Sequence, residues 1–333
     1  MNKDILTKTI ARLLLPGKGL LAIDEKVETC DKRFEKLGVP TTEEKRREYR
    51  EILVTAPEME KYISGYILFD ETIRQKTKDG RSFTSVLKEK GIEIGIKADQ
   101  GLIDFPMHLG EKITQGLDGL SERLKEYKNM GATFAKWRAV FTIGENIPSR
   151  DCMEENAKLF AQYALTCQKL NIVPIVEPEI LIEGDYSLEK SYEITAQNLK
   201  LVFHELKNLN VFIPGMILKT SMVIPGNNPK ITIYDEEIAK MTVSCLKKNV
   251  PADIGGIVFL SGGQEDEAAT EHLNLMHKMG PLPWPLTFSY GRAIQNKTLQ
   301  SWAHNPEDIA TAQALLLTAA QNNSQASIGQ YKK

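Results

Sequence analysis

Cysteine is scarce in this chain of 333 residues: four, Cys30, Cys152, Cys167 and Cys245, stand far apart with no Cys-x-x-Cys spacing. That argues against a disulfide scaffold and a zinc ribbon, and a reducing cytosol fits best. The histidines, His108, His204, His272, His277 and His304, offer no His-x-His or His-Glu-x-x-His spacing, so no metal site is expected. No Gly-x-Gly-x-x-Gly follows the first apolar run and no phosphate-loop lysine motif occurs. Nucleotide cofactors therefore have no support, and no cofactor is expected. Neither sign of charge dominates, since 42 Lys plus Arg face 44 Asp plus Glu. The basic excess usual in nucleic-acid or membrane-surface binding is missing.

Long apolar stretches are also missing. Ile5 to Leu15 is interrupted by Lys8 and Arg12 and followed by Pro16-Gly17, which reads as an amphipathic helix and not as a signal peptide. The longest uncharged run, Ile309 to Tyr331, carries Gln321-Asn322-Asn323-Ser324-Gln325, too polar to span ~30 Å of hydrocarbon. A cytoplasmic protein without a membrane segment is expected.

Eight short β-rich runs are present: Gly19 to Asp24, Gly65 to Asp70, Ile92 to Asp99, Thr133 to Val140, Ile172 to Val176, Gly215 to Lys219, Gly255 to Leu260 and Leu286 to Tyr290. Most are nearly continuous in apolar residues, the mark of parallel strands buried on both faces. Helical segments separate them. Met153, Ala157, Phe160, Ala164 and Cys167 share one helical face, as do Leu117, Leu120, Leu124 and Tyr127. Asn305-Pro306-Glu307-Asp308 reads as an N-cap opening a helix with Ile309, Ala312, Leu316 and Ala319 inward, ending near Asn322. The alternation predicts an α/β fold, a single-domain (β/α)₈ barrel over 1–323 that includes the N-terminal helix. The polar segment 324–333 is expected to be a mobile tail.

The ends of these runs carry Asp24, Lys97, Asp99, Lys136, Arg138, Glu177, Glu179, Lys219, Ser261 and Arg292. A barrel brings them to one mouth. Lys219 ends the apolar run Gly215-Met216-Ile217-Leu218, where desolvation and a second cation, Lys136, would favour a neutral, nucleophilic amine. Moving a lysine from ~10.4 to ~7.5 takes roughly 4 kcal/mol, within reach of burial plus a neighbouring cation. Glu177 and Glu179, two apart across Pro178, point the same way. They read either as a coupled pair with one carboxyl protonated near neutrality or as salt-bridge partners of Lys136 and Arg138. Ser261-Gly262-Gly263 and Gly291-Arg292 end the seventh and eighth runs, where barrels frequently seat phosphate on backbone N–H groups and a helix start.

With GKGLLAIDE, GIKADQG, GLDGLSERLKEYKNMGATFAKWR, IVPIVEPEIL, ILKTSMVIPG, FLSGGQ and LTFSYGRA in order from about residue 17 to 302, the chain resembles the class I, Schiff-base-forming fructose-bisphosphate aldolases. The resemblance implies a metal-independent enzyme of glycolysis and gluconeogenesis, usually a homotetramer. Such an enzyme reversibly cleaves fructose-1,6-bisphosphate into dihydroxyacetone phosphate and glyceraldehyde-3-phosphate. It further implies Lys219 as the imine-forming lysine, Glu177 as the acid that dehydrates the carbinolamine, and Asp24 as the carboxylate at the C4 hydroxyl. Lys136 would tune the amine and the carboxylates, with Glu179 and Arg138 in support. Ser261, Gly262, Gly291 and Arg292 match the C1-phosphate cradle. Lys97 and Thr29 match positions toward the C6-phosphate, with Arg33 nearby.

Three departures stand out. Lys26 replaces the family's usual serine in Asp24-Glu25-Lys26-Val27-Glu28, which leaves open a preference for a monophosphate such as fructose-1-phosphate. Lys219-Thr220-Ser221 replaces Lys-Pro, with a small effect expected. Tyr331 aligns with a tyrosine at the start of the family's C-terminal tail, and the usual terminal tyrosine is not matched. A slow proton step at C3 is expected from that. A phosphosugar-binding scaffold without turnover is the reading of a different class, opposed by the intact Lys219, Glu177, Asp24 and Lys136.

Overall fold

Each of the eight apolar runs forms a strand, and the strands close on themselves. In the computed structural model, which describes residues 1–227 and 233–332, they are β1 (Gly19–Ile23), β2 (Ile63–Leu68), β3 (Glu93–Lys97), β4 (Ala132–Phe141), β5 (Val173–Ile180), β6 (Ile217–Thr220), β7 (Gly256–Phe259) and β8 (Leu286–Tyr290). All neighbours are parallel, and β8 returns to β1 through Leu20↔Ser289 and Leu21↔Tyr290. The expected (β/α)₈ barrel is the fold. Strands β1, β2 and β5 to β8 are buried at every position, because helices cover the outer face and side chains fill the inner one.

The interior packs as layers. Leu20 and Ala22 of β1, Ile67 of β2, Phe134 of β4, Val173 and Ile175 of β5, Ile217 of β6 and Val258 of β7 form one cluster. Leu6, Ile10, Leu13 and Leu14 join it from the helix Lys3–Leu13, which plugs the end where the strands begin. Phe134 fits only because its neighbour on β3 is glycine: a Cβ on Gly95 would stand 2.2 Å from the ring. An alanine there would have to move the aromatic side chain or the strand.

Outer helices follow the expected faces. Ser149 caps Arg150–Lys169 through its side chain on Cys152 N, and Met153, Ala157, Phe160, Ala164 and Cys167 are buried. The last helix differs from expectation. It spans Ile309–Ala326, and Asp308, not Asn305, caps it by accepting from Thr311 N. Ile309 is exposed, whereas Ala312, Leu316, Ala320 and Asn323 face inward. The tail expected to be mobile from Ser324 is docked instead. Ser324 Oγ donates to Gly17 O at 2.6 Å, and Asn274 bonds both the N–H and the carbonyl of Tyr331. Periodicity missed this because polar side chains, not an apolar stripe, hold the segment. Lys333 lies outside the described residues.

A second small element was not foreseen. Leu102–Asp104 and Lys112–Thr114 form an antiparallel hairpin between β3 and β4, and its loop leaves Met107 and Leu109 almost fully exposed. Among the described residues, no helix is long and apolar enough to cross a membrane.

Candidate active site

The charged residues continue the inner faces of their strands. Side chains alternate along a strand, so Leu20 and Ala22 point inward and so does Asp24 just beyond β1. The same parity carries Phe134 to Lys136 and Arg138, Val173 and Ile175 to Glu177 and Glu179, and Ile217 to Lys219. The chemistry thus sits one layer above the apolar filling, at the ends of the strands.

Four of these groups form a connected chain. Lys136 Nζ is 2.7 Å from Asp24 Oδ2 and 2.8 Å from Glu177 Oε2. The other oxygen of Glu177 is 3.0 Å from Lys219 Nζ. All four side chains are buried, Asp24 the least so. Burial raises the Asp24 carboxyl, but Lys136, Lys219 and Lys97 outweigh it and bring it down to about 2. Burial lowers Lys136, yet Asp24, Glu177 and Asp99 hold it well above the usual lysine range.

Of the two readings of the Glu177 and Glu179 pair, the structure has the salt-bridge one, with Lys136 and Arg138 as the partners. The coupled-pair reading kept one of Glu177 and Glu179 protonated near neutrality, but Lys136, Lys219 and Arg138 hold Glu177 below its ordinary value in spite of burial. Glu179 turns away from it to pair with Arg138. Each carboxylate has its own cation, so no proton needs to be shared. Glu177 Oε2 nonetheless has no donor aligned with it among the described residues, although the Lys136 ammonium is close.

Around this centre the remaining candidates divide. Lys97, whose strand position pairs with Lys136, is bound to the Asp99 side chain and lies 3.1 Å from the Asp99 carbonyl. Ser261 follows β7 and is buried; Gly262 and Gly263 after it adopt φ of +60° and +84°, the left-handed region open to glycine. Gly291 follows β8 and caps the helix Arg292–His304, with Arg292 exposed at its first position. Ser261, Gly263, Gln264, Arg292, Asn296 and Lys297 are among the residues around a cavity of about 380 Å³. Glu265, Asp266 and Glu267 share that lining, Lys297 pairs with Glu267, and Arg292 has no ion pair among the described residues, so one cation stands beside a glycine turn and a helix start.

The cations expected toward a second phosphate are less available. Arg33 pairs with Glu25 and donates to Asn296 Oδ1 at 3.4 Å. Lys26 is half-exposed and 3.6 Å from Glu28 Oε2, and Thr29 is exposed on the same helix, Val27–Glu35.

Several supporting groups escaped sequence reasoning. Ser221 Oγ accepts from Ile180 N at 3.0 Å and donates to Ile180 O at 3.1 Å, clipping the end of β6 to the end of β5 just beyond Lys219. Gln264 Nε2 donates to Ser261 O and Asn296 Nδ2 to Asp266 Oδ1, and only their proximity to the glycine turns hinted at a role. Among the described residues no three His, Cys, Asp or Glu side chains converge as metal ligands.

Comparison with known proteins agrees with this geometry along the whole chain. A family model described as "Fructose-bisphosphate aldolase class-I", glycolytic, matches residues 5–333. A "Probable fructose-bisphosphate aldolase class 1" of Xanthomonas campestris pv. campestris is 50% identical over 333 residues, covering 100% of both chains. "Fructose-bisphosphate aldolase 5, cytosolic" of Arabidopsis thaliana is 47% identical over 330 residues, covering 98% of this chain and 92% of that one. Among solved structures, a fructose-bisphosphate aldolase from Plasmodium falciparum, in complex with TRAP and a small-molecule inhibitor, superposes with a TM-score of 0.98 at 42% identity, covering 99% of this chain and 96% of that one. With a closed barrel, a buried lysine at its mouth and a full-length match, the chain belongs to the class I fructose-bisphosphate aldolase family.

Proposed function

We propose that the family's reaction, reversible cleavage of fructose-1,6-bisphosphate into dihydroxyacetone phosphate and glyceraldehyde-3-phosphate, runs here through an imine on Lys219. The observation that carries the assignment is the Lys219–Glu177 contact at 3.0 Å, buried and bracketed by Lys136. Transfer of the Lys219 proton to Glu177 frees the amine to attack C2 of the ketose, and the same carboxyl then returns a proton to the departing C2 oxygen as water leaves. The iminium draws electrons from the C3–C4 bond. Asp24, held ionised by Lys136, takes the C4 hydroxyl proton as that bond breaks. After release of the aldehyde, protonation at C3 and hydrolysis of the imine restore the amine.

Ser261, Gly262, Gly291 and Arg292 would hold the phosphate of the half that stays on the enzyme, with Glu179 and Arg138 bracing the mouth. Lys97, Lys26, Thr29 and Arg33 face the departing half, where each cation already has an internal carboxylate partner. That pairing favours the second reading, a ketose monophosphate such as fructose-1-phosphate as a competitive substrate. A cytoplasmic homotetramer is the matching assembly, and the exposed Met107 and Leu109 supply apolar surface for self-association.

The test is borohydride trapping with dihydroxyacetone phosphate followed by peptide mapping. Label on the Lys219 peptide, and its loss in Lys219→Arg, is expected, since a guanidinium forms no imine. An adduct on another lysine, or wild-type turnover in the variant, overturns the assignment.

A further inference from the structure

The turn at the end of β7 is held by a chain of polar contacts that ends far from any reacting atom. Ser261 O accepts twice from Gln264, from its backbone N at 3.1 Å and from its side-chain Nε2 at 3.0 Å. Ser261 O, an acceptor, assigns the amide nitrogen of Gln264 to that side and leaves Oε1 facing His272. His272 Nδ1 is 2.7 Å from that oxygen, so Nδ1–H donates to it. The other ring nitrogen, Nε2, donates to Asp235 Oδ1 at 3.1 Å, since a carboxylate oxygen accepts, so both ring nitrogens serve as donors. His272 belongs to the helix Asp266–Lys278, which follows the turn, and Asp235 opens the helix Asp235–Asn249, which precedes β7. His272 is 3% exposed. Two neighbouring helices are thereby fastened to one carbonyl of the glycine turn.

That carbonyl matters because two glycines come directly after it. Gly262 and Gly263 both have positive φ, and adjacent glycines have many other conformations open to them. An anion is held by backbone N–H groups only while those groups point at it, so each alternative conformation of the turn weakens binding without altering the chemistry at the amine. From this arrangement we infer that Gln264 and His272 are positioning residues, which hold Ser261-Gly262-Gly263 in its anion-receiving form. Substrate affinity thus depends on a histidine that never touches the phosphate. The inference rests on the reading of this turn as a phosphate cradle.

The experiment compares His272→Leu, His272→Asn, Gln264→Met and Arg292→Ala in the full-length enzyme, measuring KM and kcat for fructose-1,6-bisphosphate and inhibition by inorganic phosphate. His272→Leu and Gln264→Met each break the chain and should raise KM and the phosphate inhibition constant at least fivefold while kcat stays within twofold. His272→Asn, whose amide nitrogen reaches the place of Nδ1, should return both to within twofold of wild type. Equal impairment of His272→Leu and His272→Asn, or a fall in kcat without a rise in KM, overturns the inference. If His272→Leu does not fold, Gln264→Met decides alone, because its residue lies in a partly exposed turn. Should Arg292→Ala leave KM and phosphate inhibition unchanged, the cradle reading itself fails. Should Arg292→Ala raise them while His272→Leu and Gln264→Met do not, the relay alone fails.

Discussion

Lys219 Nζ lies 3.0 Å from Glu177 Oε1, so the proposed nucleophile and the group that would move its protons meet before any substrate arrives. In Glu177→Gln the contact persists but the amide cannot take or return a proton. General acid–base assistance contributes ~10² to 10⁴-fold, so kcat should fall by that order with KM little changed. Steady-state kinetics combined with rapid borohydride quenching should show slow imine formation. Turnover within tenfold of wild type would assign the proton transfers elsewhere.

Acid should loosen the site through Asp24. Its folded-state pKa of about 2 lies below the ordinary value of 3.8. A depressed carboxyl contributes stability that is present above the unfolded value and is lost as pH falls from about 4 toward 2. By linkage the contribution is of order 2 kcal/mol. Glu177, also depressed, acts with the same sign. Urea unfolding at pH 6 and pH 3 should show wild type losing about 1 kcal/mol more stability than Asp24→Asn, because pH 3 lies midway through that window and removes about half of the contribution. Equal losses would place the charge coupling outside this cluster.

Lys26 tests the second phosphate. Half-exposed and 3.6 Å from Glu28, it is worth less than a free cation, so Lys26→Ala should raise KM a few-fold for fructose-1,6-bisphosphate and not for fructose-1-phosphate. Glu28→Gln should do the reverse, lowering KM for the bisphosphate. If both sugars respond alike in both variants, the side chain faces solvent and plays no part in selection.

The hairpin tip predicts assembly. Met107 is 100% and Leu109 97% exposed, apolar surface that the proposed homotetramer would cover. Light scattering should give a mass several times 37.4 kDa, and the double variant Met107→Asp, Leu109→Asp should move it downward. An unchanged mass in the variant would put the contact on another face.

Chelation is expected to leave activity unchanged, because the proposed iminium at Lys219 is itself the electron sink for C3–C4 cleavage. Activity lost with EDTA and regained with added zinc would contradict the imine route.

Features carried by local pattern were legible in the residues alone. Mostly apolar runs separated by helical segments marked the eight strands, and the charged residues at their ends marked Lys136, Glu177 and Lys219 as members of one barrel mouth. Ser149 and the face from Met153 to Cys167 marked a helix in the same way. The pairings were not legible, because they arise only when the barrel closes. Whether Glu177 shares a proton with Glu179 or meets two lysines depends on which strands flank β5 and on how far each side chain reaches across the closed barrel. Likewise the segment after Ser324 is polar and reads as loose, yet Gly17, 307 residues before Ser324, and Asn274 hold it. One cause underlies both cases: charge state and docking are set by groups distant in the chain and adjacent in space, where burial strengthens each contact and leaves no water to substitute for it.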